Sequence, residues 1–195
     1  MTRIVAGAAR GRRLAVPPGH RTRPTSDRVR EALFSALSSA SGGLDGSRVL
    51  DLYAGSGALG LEALSRGAAH VRLVESDARA ARVISANVER LGLPGAEVVH
   101  AKTERALATP PGRPYDVVLA DPPYTLGEPE LRTMLTALVN GWLAPGAIVV
   151  VERDRRSPRP QWPDGLIGDR ERRYGETTLW YGHRSETSFP ADGGS

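Results

Sequence analysis

The sequence predicts an α/β fold, in which a mostly parallel β-sheet is covered by helices on both faces. From Arg48 onward, short runs of apolar and β-branched residues alternate with segments in which apolar residues recur at helical spacing. Strands that alternate with helices of this length form right-handed βαβ units, which build parallel sheets. The length of 195 residues fits one ordinary domain with short attachments, and the composition, 40% hydrophobic and 25% charged, is typical of a globular protein.

The first stretch of the chain is predicted to be a basic arm or a small hairpin. Glycine and proline break it into short apolar runs, of which 3–6 and 13–16 are the candidate hairpin strands. A helix is expected next, because residues 25–27 carry side-chain oxygens suited to an N-cap and apolar residues then recur at helical spacing. The pair Gly42-Gly43 should end this helix.

The rest of the chain is expected to build the sheet. Five parallel strands are predicted at 49–53, 70–75, 97–100, 115–120 and 146–152. The helices between them are predicted at 58–66, 78–91, 104–108 and 130–143. A terminal antiparallel hairpin, 166–174 with 177–181, turns at Gly175 and completes a seven-stranded sheet. The predicted organisation is an N-terminal extension, a main domain and a disordered tail, at 1–24, 25–184 and 185–195.

Basic residues are concentrated at the start of the chain. Residues 1–30 hold eight arginines and one acid, a net charge of +7, whereas residues 31–195 hold 18 basic and 21 acidic residues, a net charge of −3. A segment of this kind suits a polyanion, most often the phosphate backbone of a nucleic acid. A solvated tail is the alternative that charge alone leaves open.

Composition excludes several classes of protein. The absence of cysteine rules out disulfides, thiolate metal sites and cysteine nucleophiles, and the four histidines are too scattered to predict a metal site. No run of 18 apolar residues and no apolar segment of signal-peptide type is present. We therefore expect a soluble, cytoplasmic protein that does not engage a membrane.

A glycine-rich turn follows the first parallel strand, within the segment 51–60. Gly55, Gly57 and Gly60 have the spacing of a dinucleotide-binding turn, and Glu75 follows Gly55 by 20 residues, where a carboxylate binds ribose hydroxyls. This pattern alone does not separate NAD from other adenosine cofactors. Asp51 favours S-adenosylmethionine, because a carboxylate at the strand mouth repels a pyrophosphate but suits an ammonium and a sulfonium. A tight turn with a buried capping aspartate is the purely structural alternative.

A second motif, Asp121-Pro122-Pro123-Tyr124, follows the fourth parallel strand and should open into the same crevice. The two prolines fix the backbone and lack amide hydrogens, so the local carbonyls and Asp121 form a rigid set of acceptors. Such a set fits a planar exocyclic amine and aims its lone pair at a methyl carbon, so that catalysis comes from positioning. Tyr124 can stack on the base that carries the amine. A simple proline-rich turn is the alternative.

These motifs resemble those of class I S-adenosylmethionine-dependent methyltransferases, which have a Rossmann-like fold, and the four-residue motif resembles the signature of their amino-group enzymes. The front of the chain is more specific still. It resembles the opening of the RsmD family, bacterial guanine-N2 methyltransferases of 16S ribosomal RNA, and the similarity extends over about residues 1–183. The segments that carry it are Arg3 to Gly7, Arg10 to Leu14 and Arg23 to Phe34.

The resemblance implies a role for each matching residue. Asp121, Pro122 and Tyr124 would form the catalytic set, with Asp121 and the Pro122 carbonyl accepting the guanine amino hydrogens. The cofactor-binding residues would be Asp51, Tyr53, Gly55, Gly57, Glu75 and Lys102. Lys102 lies in the stretch that usually contacts adenine, where the family's common Asn or Asp is missing. The phosphate-binding residues would be Arg10, Arg12, Arg13, Arg23, Arg28 and Arg30. The implied substrate is 16S rRNA in a 30S particle or an assembly intermediate, and we expect a monomer.

Three other functions use overlapping features. A DNA adenine or cytosine amino methyltransferase would share the four-residue motif, although 195 residues leave little room for a target-recognition domain. A glutamine methyltransferase acting on proteins would leave the basic arm without a role. A non-catalytic RNA-binding assembly factor could retain the cofactor site. The arginines at 153–173 predict either a second RNA-facing patch or a solvated surface, because acids are interleaved with them.

Overall fold

The computed structural model describes residues 2–18 and 26–186. The strands are β1 (Thr2–Arg3), β2 (Arg13–Leu14), β3 (Arg48–Leu52), β4 (His70–Glu75), β5 (Ala96–His100), β6 (Tyr115–Ala120), β7 (Leu143–Asp154), β8 (Leu166–Tyr174) and β9 (Thr177–Arg184). The helices are α1 (Asp27–Ser41), α2 (Ala58–Ser65), α3 (Ala78–Leu91), α4 (Thr103–Ala106) and α5 (Glu128–Val139). None of the helices in these ranges is long and apolar enough to cross a membrane.

The main sheet has seven strands in the order β5-β4-β3-β6-β7-β9-β8. The neighbours from β5 to β7 are parallel, and β9 pairs antiparallel with both β7 and β8. The predicted fold class and the terminal antiparallel hairpin are therefore confirmed. The chain runs outward from β3 to β5 and then returns to place β6 on the other side of β3. That reversal opens a crevice at the carboxyl ends of the strands, where ligands bind in sheets of this kind.

Local signals explain most helix boundaries. The hydroxyl of Ser26 accepts a hydrogen bond from the Val29 amide at the start of α1, and Gly42 ends that helix in the left-handed conformation. Asp77 caps α3, with its carboxylate accepting from the amides of Arg79 and Ala80. The predicted α1 and α3 are thus confirmed, and for α1 the N-cap is the one that the sequence predicted.

The predicted helix 130–143 was too long at its C-terminal end. The helix α5 stops at Val139, and Gly141 follows with a φ of 99°, so the chain turns there and enters β7 at Leu143. The apolar residues Trp142 and Leu143 belong to the core rather than to a helix face, and the Trp142 ring stacks on Tyr115 at a centroid distance of 6.0 Å. Apolar spacing alone does not separate these two environments.

The N-terminal hairpin is present, although its paired strands are shorter than predicted. The strands β1 and β2 are antiparallel, with Thr2 opposite Leu14. The hairpin is packed onto the main fold, because Ile4, Ala9 and Leu14 are buried in the same apolar cluster as α1 and α2. The predicted boundary between residues 24 and 25 lies outside the described residues, as does the predicted tail from residue 187 onward.

Candidate functional site

A cleft of about 780 Å³ opens at the carboxyl ends of β3, β4, β6 and β7. Both sequence motifs meet there, since the cleft is lined by residues of the glycine turn and of the Asp121 segment. The predicted site residues that line it are Asp51, Tyr53, Gly55, Glu75, Lys102, Asp121, Pro122 and Tyr124. A second cavity of about 780 Å³ lies at the amino ends of β6 and β7 and contains neither motif. The carboxyl-end cleft is therefore the candidate site.

The glycine turn depends on unusual backbone angles. Tyr53 has a φ of 60° and Gly55 a φ of 59°, which bend the chain directly after β3. A Cβ at Gly55 would meet no atom within 4 Å, so this side of the turn is open to a ligand. Gly57 is different, because a Cβ there would lie 3.2 Å from side-chain carbons of Ile84 and Leu73. Gly55 thus borders the cleft, whereas Gly57 serves the packing of the turn.

Asp51 is a buried carboxylate at the mouth of β3. Its Oδ2 accepts a hydrogen bond from the Gly60 amide at 2.8 Å, and glycine fits tightly at position 60, because a Cβ there would come within 2.8 Å of the Leu73 side chain. Burial raises the pKa of Asp51 to about 7; the Gly60 bond opposes this rise, and the charge of Glu75 adds to it. A cation bound beside Asp51 would relieve the cost of ionising it, so this position favours an ammonium or a sulfonium.

Glu75 ends β4 and is held by two backbone amides. Its Oε2 accepts from the Gly55 amide and its Oε1 from the Asp77 amide, each at 2.8 Å. These bonds tie the carboxylate to the glycine turn on one side and to the start of α3 on the other. Each carboxylate oxygen can accept a further hydrogen bond. The arrangement can receive a pair of ligand hydroxyl groups.

The far end of the cleft lies at the start of α4. Lys102 is exposed at the N-cap position of this helix, and Thr103 is buried next to it. The Thr103 side chain hydrogen-bonds the Tyr53 hydroxyl, while burial raises the pKa of Tyr53. Thr103 was not among the predicted site residues. Its position in a short helix gives no sequence pattern, and only the fold brings it to Tyr53.

Asp121 lies across the cleft from the glycine turn. Burial raises the pKa of this carboxyl well above its usual range, and the nearby charges of Glu152 and Asp51 add to the rise. Glu152 follows Val151, which pairs with Ala120 in the parallel ladder between β6 and β7. Asp121 and Glu152 are therefore the next pair along that register. Glu152 also lines the cleft, and sequence analysis missed it because this pairing exists only in the folded sheet.

The rest of the Asp121 motif differs sharply in exposure. Pro122 is buried, whereas the Tyr124 side chain is 70% exposed at the cleft mouth. The loop turns back at once, since the Leu126 amide donates to the Pro123 carbonyl at 2.9 Å. Arg153 holds the end of this loop by donating to the Leu126 carbonyl and to Glu128, each at 3.0 Å. The exposed ring of Tyr124 is available to a planar group that enters from solvent.

The arginines predicted to bind phosphate occupy different environments. Arg10, Arg13 and Arg28 are exposed. Arg12 is also exposed, but its guanidinium donates to the backbone carbonyls of Leu91, at 2.9 Å, and of Arg90.

The prediction for Arg30 is wrong. Its side chain is fully buried, and it donates to the Arg3 carbonyl and to Asp27, so no phosphate can reach it in this structure. The periodicity of α1 places position 30 on the inner face of the helix, next to the buried Val29 and Leu33. Arg23 lies outside the described residues.

The N-terminal segment enters the site in a way that sequence analysis missed. Val16 and Pro17 line the cleft together with the glycine turn. The segment precedes the main fold in sequence and carries no cofactor-binding pattern. Only its packing against α2 and α3 brings it to the cofactor side of the cleft.

Known proteins and a family model match this chain over most of its length. A family model described as "Conserved hypothetical protein 95" matches residues 2–183. The chain is 40% identical over 174 residues to Escherichia coli ribosomal RNA small subunit methyltransferase D, covering 89% of this chain and 85% of that protein. It is also similar to the solved structure of Escherichia coli yhhF, with a TM-score of 0.82 and 38% identity over 95% of this chain and 99% of that one.

A more distant structure shares the fold. An RNA methyltransferase from Salinibacter ruber, solved in complex with S-adenosyl-L-homocysteine, has a TM-score of 0.62 and 20% identity, covering 88% of this chain and 99% of that one.

Proposed function

The chain belongs to the RsmD family, and we propose that it transfers a methyl group from S-adenosylmethionine to the N2 amine of a guanine in 16S ribosomal RNA. One observation carries the proposal: a single cleft brings Asp121, Pro122 and Tyr124 opposite Asp51, Gly55 and Glu75. The first set suits an aromatic amine, and the second suits an adenosine cofactor with a cationic end. The relatives named as small-subunit rRNA methyltransferases support the choice of RNA.

The residues of the cleft fit S-adenosylmethionine. Asp51 would hold its cationic end, the open side of Gly55 would admit it close to the backbone, and Glu75 would accept hydrogen bonds from the ribose hydroxyls. Lys102 and Thr103 border the position left for the adenine. When bound, the cofactor supplies an electrophilic methyl group on a sulfonium. A pyrophosphate fits poorly, because Asp51 at the strand mouth would face it with like charge.

Asp121 and the Pro122 carbonyl would do the chemical work by positioning. Both are acceptors, so they would hold the two hydrogens of a planar amine and turn its lone pair toward the methyl carbon. Pro122 and Pro123 leave no backbone N–H to compete for those acceptors. Tyr124 would stack on the base. A base inside structured RNA must leave its stack to reach Asp121, and the exposure of Tyr124 at the mouth suits that entry.

The exposed arginines of the N-terminal hairpin and of α1 would contact the RNA backbone. Arg10 and Arg13 lie on the hairpin whose chain continues into the cleft wall at Val16. We propose a ribosomal particle of the 30S type as the substrate and a monomer as the active form. Phosphate contacts of this kind fix the position of the nucleic acid and supply much of the affinity, while the cleft selects the base.

A methylation assay tests the proposal. Protein and labelled S-adenosylmethionine are incubated with 30S particles, free 16S rRNA or duplex DNA, all lacking the modification, and the labelled nucleoside is identified. We expect N2-methylguanosine in ribosomal RNA. Label in DNA alone would support a DNA amino methyltransferase, and binding without transfer would support a non-catalytic assembly factor.

The Asp121→Ala variant is the internal control for the chemistry. It should bind S-adenosylmethionine with nearly unchanged affinity but lose most turnover, on the order of 100-fold or more, because the amine is no longer oriented. Full methylation by this variant would remove Asp121 from the catalytic set.

A further inference from the structure

Asn87 is a buried polar residue of α3 that belongs to none of the sequence motifs. Its side chain is fully buried and uses both ends of its amide. The Oδ1 atom accepts from the Ala15 amide at 2.8 Å, and Nδ2 donates to the Ala15 carbonyl at 3.0 Å. The same Nδ2 donates to the Ser56 carbonyl at 3.1 Å. One side chain therefore holds two segments that are far apart in sequence.

Both segments are walls of the cleft. Ser56 lies in the glycine turn and lines the cleft directly, while Ala15 is followed at once by Val16 and Pro17, which line it from the N-terminal side. Val16 keeps 38% of its side chain exposed, so an apolar surface is presented there to whatever fills the cleft. The Asn87 amide therefore links the two walls of the cleft directly to each other.

The hairpin is attached to α3 at a second point. Arg12 donates to the Leu91 carbonyl at the C-terminal end of this helix, whereas Asn87 holds Ala15 one turn earlier. Between these two attachments lies Arg13, whose side chain is exposed. A phosphate bound by Arg13 would therefore act on a backbone that is fixed to the cleft wall on its C-terminal side.

We propose that Asn87 is a positioning residue that makes segment 15–17 part of the S-adenosylmethionine site and so couples RNA binding by the hairpin to cofactor binding. The part of this proposal that concerns RNA binding rests on the proposed function. Without Asn87 the Ala15 amide, the Ala15 carbonyl and the Ser56 carbonyl would lose these partners, and segment 15–17 would lose its hydrogen-bonded link to the glycine turn. Coupling of this kind is reciprocal, so the cofactor tightens RNA binding by the factor by which RNA tightens cofactor binding.

Two substitutions at Asn87 test whether this residue contributes to the binding of S-adenosylmethionine. Asn87→Ala removes all three hydrogen bonds, and Asn87→Asp keeps an acceptor for the Ala15 amide but has no N–H for the two carbonyls. We expect both to weaken S-adenosylmethionine binding about tenfold, measured by calorimetry on the full chain. The matched control is Ser85→Ala on the same helix, because the Ser85 hydroxyl donates only to the Ala81 carbonyl of that helix. Unchanged affinity in a folded Asn87→Ala variant would overturn the proposal.

Val16→Ala covers the case in which the Asn87 variants fail to fold. Val16 is partly exposed, so the truncation should leave the fold intact while removing apolar contact with the cofactor. We expect S-adenosylmethionine binding to weaken about threefold. Pro18→Ala, at an exposed neighbour that does not line the cleft, is its control. Wild-type affinity in Val16→Ala would overturn the assignment of segment 15–17 to the site.

The coupling is measured separately with S-adenosylhomocysteine, which permits no turnover. Saturating S-adenosylhomocysteine should tighten binding of 16S rRNA to the wild-type protein several-fold and have no effect on RNA binding to Asn87→Asp. Equal tightening in both proteins would overturn the coupling. The calorimetric result does not depend on RNA, so a wild-type protein that never methylates 30S particles would refute the proposed function without touching the effect of Asn87 on cofactor affinity.

Discussion

Two carboxylates, Asp51 and Asp121, determine which ligands the cleft favours. Burial raises the pKa of both Asp51 and Asp121, and each feels the charge of another acid nearby. A partner of opposite charge or a set of hydrogen-bond donors favours the ionised form of such a carboxylate and lowers its pKa. The ligand chemistry of the proposed reaction supplies both, a cation beside Asp51 and an amine beside Asp121.

The first prediction concerns the pH dependence set by Asp121. The ionised carboxylate accepts the amino hydrogens, so kcat/KM should fall as the pH drops through the pKa of Asp121. Glu152 contributes to raising that pKa. Glu152→Gln removes this charge, lowers the pKa of Asp121 and should move the acid limb of the kcat/KM profile to lower pH.

Glu104→Gln is the matched control for this shift. Glu104 lines the same cleft but is not among the charges that raise the pKa of Asp121, so its acid limb should coincide with that of the wild type. An acid limb that stays in place in Glu152→Gln would show that a group other than Asp121 controls the profile.

The site residues that could be predicted from the sequence are those that lie in a recognisable pattern along the chain. Asp51, Glu75 and Asp121 each lie at or next to the carboxyl end of a strand, at a recognisable spacing from glycine or proline. Asn87 and Glu152 have no such marker, because their partners come from segments distant in sequence. Arg30 illustrates the opposite error, because it was predicted to bind phosphate and is buried in the fold. An arginine on an amphipathic helix is normally exposed, and only the acceptors at Arg3 and Asp27 make the inner position tolerable.

At the scale of elements, the hairpin is fixed to α2 by its backbone. The amides of Val5 and Ala6 donate to the buried carboxylate of Glu62 at 2.8 and 2.9 Å, and the Ala8 amide donates to the Ser65 carbonyl. These bonds explain why the helix-poor stretch is ordered without long strands. Hairpin formation was predictable from glycine and apolar spacing, but its attachment was not, since Glu62 has the sequence context of an ordinary helix acid.

The second prediction tests this attachment with two glycines of the hairpin. Gly7 and Gly11 have nearly the same φ, 83° and 81°, so alanine strains the backbone similarly at both. A Cβ at Gly7 would lie 1.8 Å from the Ser65 carbonyl oxygen, whereas a Cβ at Gly11 meets no atom within 4 Å. Gly7→Ala should therefore lower the free energy of unfolding by about 1–3 kcal/mol more than Gly11→Ala, measured by chemical denaturation. Equal losses would mean that the hairpin does not depend on close packing against α2.

At the scale of the whole molecule, the residues that build the main sheet are different from those that make the N-terminal region basic. The alternation of strands and helices made the parallel sheet and the fold class predictable, whereas the order of the strands is known only from the structure. The basic N-terminal region contributes no strand to the main sheet, although it packs against the same apolar core. Its exposed arginines lie on the hairpin and on α1, and the hairpin leads into the cofactor cleft. The basic hairpin is thus connected to the cofactor cleft through segment 15–17, which the sequence predicted to be part of an N-terminal extension.

The last prediction asks which arginines neutralise RNA phosphates. The variant Arg10→Ala, Arg13→Ala, Arg28→Ala removes three exposed charges without touching the structural bonds of Arg12 or Arg30. Each phosphate contact contributes about 0.7 to 0.9 to the slope of log K against log salt concentration, so the slope for 16S rRNA should fall by about 2 to 3. Filter binding over a series of salt concentrations measures it.

A second triple variant, Arg156→Ala, Arg159→Ala, Arg172→Ala, carries the same change in net charge at exposed positions of the interleaved C-terminal surface. Because acids surround these arginines, a solvated surface would leave the slope unchanged, whereas an RNA-facing patch would lower it as well. If the first variant keeps the wild-type slope and the second has a lower one, the RNA path runs over the C-terminal surface that carries Arg156, Arg159 and Arg172. The basic N-terminal segment would then have no part in holding the substrate. If the first loses it and the second keeps it, the phosphates bind on the side of the molecule where segment 15–17 forms the cleft wall.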